Sequence, residues 1–119
     1  MEMSVIYDRE EGASALMFSQ GRRRAVIRLD QIVCCLSSRN YVVFHAGREY
    51  RVRVTFADAC RCLADDDRFL AINRGILVNL DYVESMENYI CTMTDGSSFP
   101  VNRRNFRQMK NAWREYRRG

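Results

Sequence analysis

Apolar residues in this chain alternate with polar ones or gather in short unbroken runs, and small polar clusters separate the runs, so the pattern predicts many short strands and few helices. Residues 4–8 (SVIYD) and 15–19 (ALMFS) flank an acidic turn at Glu10, Glu11 and Gly12 and read as a hairpin. Arg22, Arg23 and Arg24 open a strand that runs to Leu29, and a turn at Asp30 and Gln31 leads into residues 32–36 (IVCCL). That run is continuously apolar, as expected of a strand covered on both faces. A compact turn over residues 37–40 (SSRN) precedes a strand at 41–45 (YVVFH). Beyond Gly47, Tyr50, Val52 and Val54 lie on one face of a strand and Arg51 and Arg53 on the other, which predicts a half-exposed position.

Two segments have helical spacing instead. Thr55 followed three residues later by Asp58 forms a capping box, and Phe56, Ala59, Cys60 and Leu63 recur on one face, predicting a short helix near 56–64. Asp65, Asp66 and Asp67 follow as a solvated loop. Near the end of the chain, Phe106, Met109, Trp113 and Tyr116 form one stripe, with Arg103, Arg107, Lys110, Arg114 and Arg117 along the other flank. This predicts a C-terminal helix near 103–116, with Asn102 as its N-cap. Between the two helices, residues 83–88 and 89–94 read as a hairpin closing on Asp95-Gly96, and Pro100 marks an edge strand or a strand end.

The central stretch, residues 69–80 (FLAINRGILVNL), breaks this pattern. Asn73, Arg74 and Gly75 interrupt two apolar segments, so the chain presents side chains there. Arginine brings a planar fork of donors suited to phosphate or a base edge, and asparagine donates and accepts at once. A polar interruption of this kind is equally compatible with a plain surface turn. Asn79, amid apolar neighbours, reads as a structural hydrogen-bonding residue.

Phe69, Asn73, Arg74, Gly75, Ile76, Leu77, Val78 and Asn79, then Asp95-Gly96, then residues 100–104 (PVNRR) stand in an order that resembles the LytTR family of bacterial DNA-binding domains. Residues 30–45 (DQIVCCLSSRNYVVFH) resemble the strand pair that precedes those motifs in the family. The resemblance spans most of the chain after residue 15. It implies a mainly β fold, an elongated stack of small antiparallel β-sheets, with residues 1–119 forming a single domain. It also implies a transcriptional regulator that recognises duplex DNA by sequence, with contacts in the turn before Tyr41 (Ser38, Arg39, Asn40), at Asn73 and Arg74, and along Arg103, Arg104, Asn105 and Arg107. Chemistry then assigns Asn40 and Arg104 as base readers and Arg39, Arg74, Arg103 and Arg107 as phosphate or groove contacts. Family members typically act as paired molecules on direct repeats in promoters and as output domains of response regulators. A receiver or sensor partner would therefore come from outside this chain, whether the chain is an excised output domain or a regulator in its own right.

Composition supports a polyanion partner. The formal charge is +4 from 19 basic residues, of which Lys110 alone is lysine. The first twelve residues carry Glu2, Asp8, Glu10 and Glu11 against Arg9, whereas residues 103–119 carry seven basic residues and Glu115, so the basic end is C-terminal. An acidic protein partner would meet the same arginines, and a basic protein-interaction module is the alternative reading. The five cysteines, with no signal peptide ahead of them, point to a reduced, cytoplasmic setting. Their spacing does not match a zinc site, and they read as small buried apolar residues. His45 is the single histidine, and Cys34 or Cys35 beside it would lack both an orienting third group and an oxyanion site, so no catalytic role and no cofactor are expected. No apolar run approaches the roughly 20 residues that cross a bilayer.

Overall fold

The computed structural model describes residues 3–119 and contains three antiparallel sheets and two helices. Strands β1 (Met3–Asp8), β2 (Ala13–Gln20) and β3 (Arg23–Arg28) form the first sheet in sequence order. The central sheet holds five strands: β4 (Cys34–Ser38), β5 (Tyr41–His45), β6 (Glu49–Val52), β7 (Phe69–Asn73) and β8 (Ile76–Asn79), in the order β6-β5-β4-β8-β7. The third sheet is β9 (Val83–Glu87), β10 (Ile90–Met93) and β11 (Ser98–Pro100), with β10 in the middle. Helix α1 (Phe56–Cys62) connects β6 to β7, and α2 (Phe106–Arg118) ends the chain. With extents of 43 × 33 × 24 Å the stack is elongated, as the resemblance to the LytTR family implies.

The central sheet is covered on both faces, and this explains its unbroken apolar runs. Side chains alternate across a strand, so neighbours in sequence enter different cores. Cys35 and Leu77 pack with Leu16, Phe18, Ile27, Phe44, Ala59 and Leu63 between the first sheet and α1. Cys34 and Val78 face the other way and pack with Ile72, Met86, Cys91, Met93, Val101 and Trp113 between the third sheet and α2. Each fully buried Leu, Ile or Phe stabilises the fold by about 1.5–3 kcal/mol relative to exposure, so two cores of this size dominate the stability. The thiols belong to this packing. Burial pushes Cys34 up to about 12 and Cys91 up to about 11, and raises Cys35 as well.

Asn79 is the buried polar exception among the described residues, and its exposure is 0%. Its amide N–H donates to the Ile32 carbonyl at 2.8 Å and its oxygen accepts the Asp81 N–H at 2.9 Å. The side chain thus joins β8 to the turn before β4 and caps the short 3-10 turn Leu80–Tyr82, the structural role read from the sequence. Thr55 caps α1 as expected, accepting the Asp58 N–H at 3.0 Å.

Four expectations need correction. Ser37 and Ser38 belong to β4, paired with Val42 and Tyr41, so the turn is only Arg39 and Asn40. Asn88 and Tyr89 make the turn between β9 and β10, while Asp95-Gly96 lies in the longer connection from β10 to β11, where the Asp95 carboxylate accepts both the N–H and the hydroxyl of Ser97. Helix α2 begins at Phe106 rather than near 103. Asn102 caps the turn ahead of it, accepting the Asn105 N–H at 3.2 Å, because the chain leaving β11 turns once before it can lay its aromatic stripe on the second core. Finally, Asp66 is not simply solvated, since it accepts both the backbone N–H and the Nε of Arg68, at 3.0 and 2.8 Å.

Candidate functional site

The three polar clusters picked out in the sequence meet at one end of the central sheet. Antiparallel pairing of Leu36 with Ile76 sets the end of β4 beside the start of β8, so the Arg39-Asn40 turn and the Arg74-Gly75 turn leave the sheet together. Gly75 permits this approach. Its φ is +74°, and a Cβ built there would lie 2.9 Å from the Ser37 Cβ. The Ser37 N–H donates to the Gly75 carbonyl at 2.8 Å, which ties the two turns directly.

The third cluster is attached through Asn73. A register shift in the β7–β8 ladder between Ala71 and Asn73 leaves Ile72 without a partner and pairs Asn73 with Ile76, at the end of the ladder next to the turn. The Asn73 side-chain amide donates to the Pro100 carbonyl at 3.0 Å, and its oxygen accepts the Arg74 N–H at 2.8 Å. The Asn102 N–H donates to the Ile72 carbonyl at 2.8 Å. Together these bonds place residues 100–105, with Arg103, Arg104 and Asn105, beside the β7–β8 turn. Asn73 therefore uses both ends of its amide to hold the turns, and Arg74 is the group that projects.

The arginines divide into engaged and free. Arg103 stacks on Tyr89 with its guanidinium carbon 4.5 Å from the ring centroid, Arg51 on Tyr41 at 5.1 Å, and Arg117 on Trp113 at 5.0 Å. Lys110, placed by the sequence on a free cationic flank, donates to both carboxylate oxygens of Glu87 at 2.9 Å and holds that carboxyl below its usual range. Arg118 pairs with Glu115 at 3.2 Å. No ion-pair partner is present among the described residues for Arg39, Arg53, Arg74, Arg104, Arg107 or Arg114. Four of these, Arg39, Arg74, Arg104 and Arg107, are candidates named from the sequence. Ser38 and Asn40 lie at the same end, and Asn40 also borders an open cleft of about 780 Å³ lined by Gly21, Arg53, Thr55 and Asp58.

Arg51 and Arg53 are the residues that pattern reading passed over as an exposed strand face. Pairing of Val42 with Val52 brings the end of β6 to the same edge as the Arg39-Asn40 turn. The signal was available only as a pairing register, since nothing local to residues 49–54 reveals which end of β5 they meet. Unpaired guanidinium groups on converging turns, with amides between them, make a surface suited to a polyanion with readable edges.

The model of the LytTr DNA-binding domain family matches residues 22–114. Among solved structures, a LytTr DNA-binding domain from Bacillus cereus is similar to this chain, with a TM-score of 0.68 at 12% identity over 85% of this chain and 97% of that one. No curated protein matches.

Proposed function

The chain belongs to the LytTR family of DNA-binding domains, and from that premise we propose that it recognises duplex DNA by sequence through the three joined turns and regulates transcription as a single domain over residues 1–119. The observation that carries the reading is the convergence of free guanidinium groups from turns far apart in sequence. LytTR is a DNA-binding family rather than an enzyme family, and no helix among the described residues is long and apolar enough to cross a membrane.

In this reading, Arg104 and Asn40 read base edges, while Arg39, Arg74, Arg103 and Arg107 hold phosphates or line the groove, with Ser38 and Asn105 as neighbouring polar contacts. Asn73 keeps the turns in register and places Arg74. Two molecules occupy direct repeats in a promoter, in the cytoplasm, and a receiver or sensor supplies the input, as in a two-component response regulator.

The test separates readers from phosphate contacts. A bidentate base contact contributes about 1–3 kcal/mol only on the right base, whereas a phosphate contact contributes on every sequence and sets part of the salt dependence. After selection of a site from random duplex DNA, salt titrations on that site and on a scrambled duplex are expected to show Arg104→Ala losing affinity for the selected site alone. Arg107→Ala should weaken both and reduce the salt slope by about one contact. Equal losses on both duplexes for Arg104→Ala would remove it as a reader, and equal affinity of the unsubstituted protein for both would remove sequence-specific recognition altogether and leave a basic surface for an acidic protein partner.

A further inference from the structure

The two-residue turn between β9 and β10 holds Asn88 at φ 54° and Tyr89 at φ 65°. Both values lie in the left-handed region, and a turn of this kind is most easily made by Asn followed by Gly. Asn88 fits. Tyr89 does not, because a Cβ-bearing aromatic is strained there, and core packing does not account for it, since the side chain remains 39% exposed.

What Tyr89 does touch is the segment that carries Arg103 and Arg104. Its carbonyl accepts the Val101 N–H at 2.8 Å. Its ring lies 4.9 Å from the Phe106 ring, tilted by 56°, and the Arg103 guanidinium stacks on it at 4.5 Å. The other arginine stacks rest on Tyr41, Tyr50 and Trp113, which sit at regular strand or helix positions without a positive φ. Stacking has a chemical advantage over ion pairing at a recognition surface. The five N–H donors of a guanidinium lie in its plane, so a ring beneath the plane restricts the side chain while leaving the donors free, whereas the Glu87 carboxylate occupies two of the three donors of Lys110.

We propose that Tyr89 is a positioning residue for DNA recognition, an aromatic platform that aims Arg103 at the duplex and is retained at a strained turn position for that purpose. The proposal rests on the DNA reading above, so its test has an arm without DNA. In the free protein, the Arg103 Nε–Hε resonance is expected to be ring-shifted and motionally restricted, unchanged in Tyr89→Phe and released in Tyr89→Asn. Asn suits left-handed backbone, so Tyr89→Asn should keep its circular dichroism and urea midpoint. On the selected duplex, Tyr89→Asn is expected to bind about 3- to 10-fold more weakly, as Arg103→Ala does, with the double variant no weaker than Arg103→Ala alone and Tyr89→Phe near the unsubstituted affinity. Absence of a ring shift, wild-type affinity in Tyr89→Asn, or losses that multiply in the double variant would each overturn the proposal. A ring shift that behaves as expected in a protein that binds no duplex would instead overturn the DNA reading.

Discussion

Gly75→Ala tests whether the joined turns are built as the geometry indicates. Two separate penalties follow from the substitution. At φ +74° an L-residue pays about 1–2 kcal/mol for the left-handed backbone. The new methyl would also lie 2.9 Å from the Ser37 Cβ, an atom fixed to the β4 backbone that no rotamer change can move, and overpacking of this kind costs about 1–3 kcal/mol. The expected loss is therefore about 2–5 kcal/mol, a large share of the 5–15 kcal/mol typical of a folded domain. Urea unfolding measures it, and an unchanged slope would show that the folded state itself has lost stability. Ser37→Gly separates the terms, because removing the Ser37 Cβ relieves the contact but not the backbone strain. In a double-mutant cycle the coupling between Gly75→Ala and Ser37→Gly should be favourable by about 1–3 kcal/mol, with the left-handed penalty remaining. A loss below about 0.5 kcal/mol for Gly75→Ala, or a coupling of zero, would mean that the two turns are not in contact and that the site is not assembled as described.

Asn79→Leu should destabilise by about 2–4 kcal/mol, because the Ile32 carbonyl and the Asp81 N–H would both lose their partner in a site with 0% exposure, and urea unfolding at neutral pH checks it. Tyr116 has its phenol pushed up to about 12 by burial and then by its 2.7 Å hydrogen bond to Asp81, so its contribution to stability is complete below the ordinary tyrosine value near 10 and is lost as pH rises through 12. The stability difference between the unsubstituted protein and Tyr116→Phe should therefore shrink over that window in urea titrations, and a pH-independent difference would refute the assignment.

Much of the fold was legible because its strands obey short-range rules. Alternation located β6, the unbroken run of residues 32–36 located the central strand β4, and Pro100 correctly marked an edge strand, since β11 pairs on one side only. The failures share a physical cause. Asn88-Tyr89 carries no glycine to announce a left-handed turn, so Asp95-Gly96 drew the hairpin assignment instead. Asn102 has the chemistry of a helix cap, and its side chain does cap, but it caps the turn that the aromatic stripe of α2 requires before the helix can begin. Within the candidate site, residue type singled out Asn73 and Arg74 but not the difference between them. That difference depends on a bond from Asn73 to the carbonyl of Pro100, 27 residues away, which no local pattern encodes.

The three turns are anchored unequally. Arg39-Asn40 and Arg74-Gly75 extend from β4 and β8, neighbouring strands of the central sheet whose alternate side chains enter both cores, so their position follows from the most heavily packed part of the molecule. Residues 101–105 extend instead from the end of a three-residue edge strand. They are held by Val101 in the second core, by the Val101 N–H on Tyr89, the Asn102 N–H on Ile72 and the Asn102 cap on Asn105, and by the stack of Arg103 on Tyr89. An edge strand of that length supplies few ladder bonds, and a guanidinium on an exposed turn has no core to orient it. The aromatic at a strained turn position and the amide of Asn73 supply from the side what the sheet does not supply from below, which is why the proposed contacts of Arg103 and Arg104 depend on residues that need not themselves touch DNA.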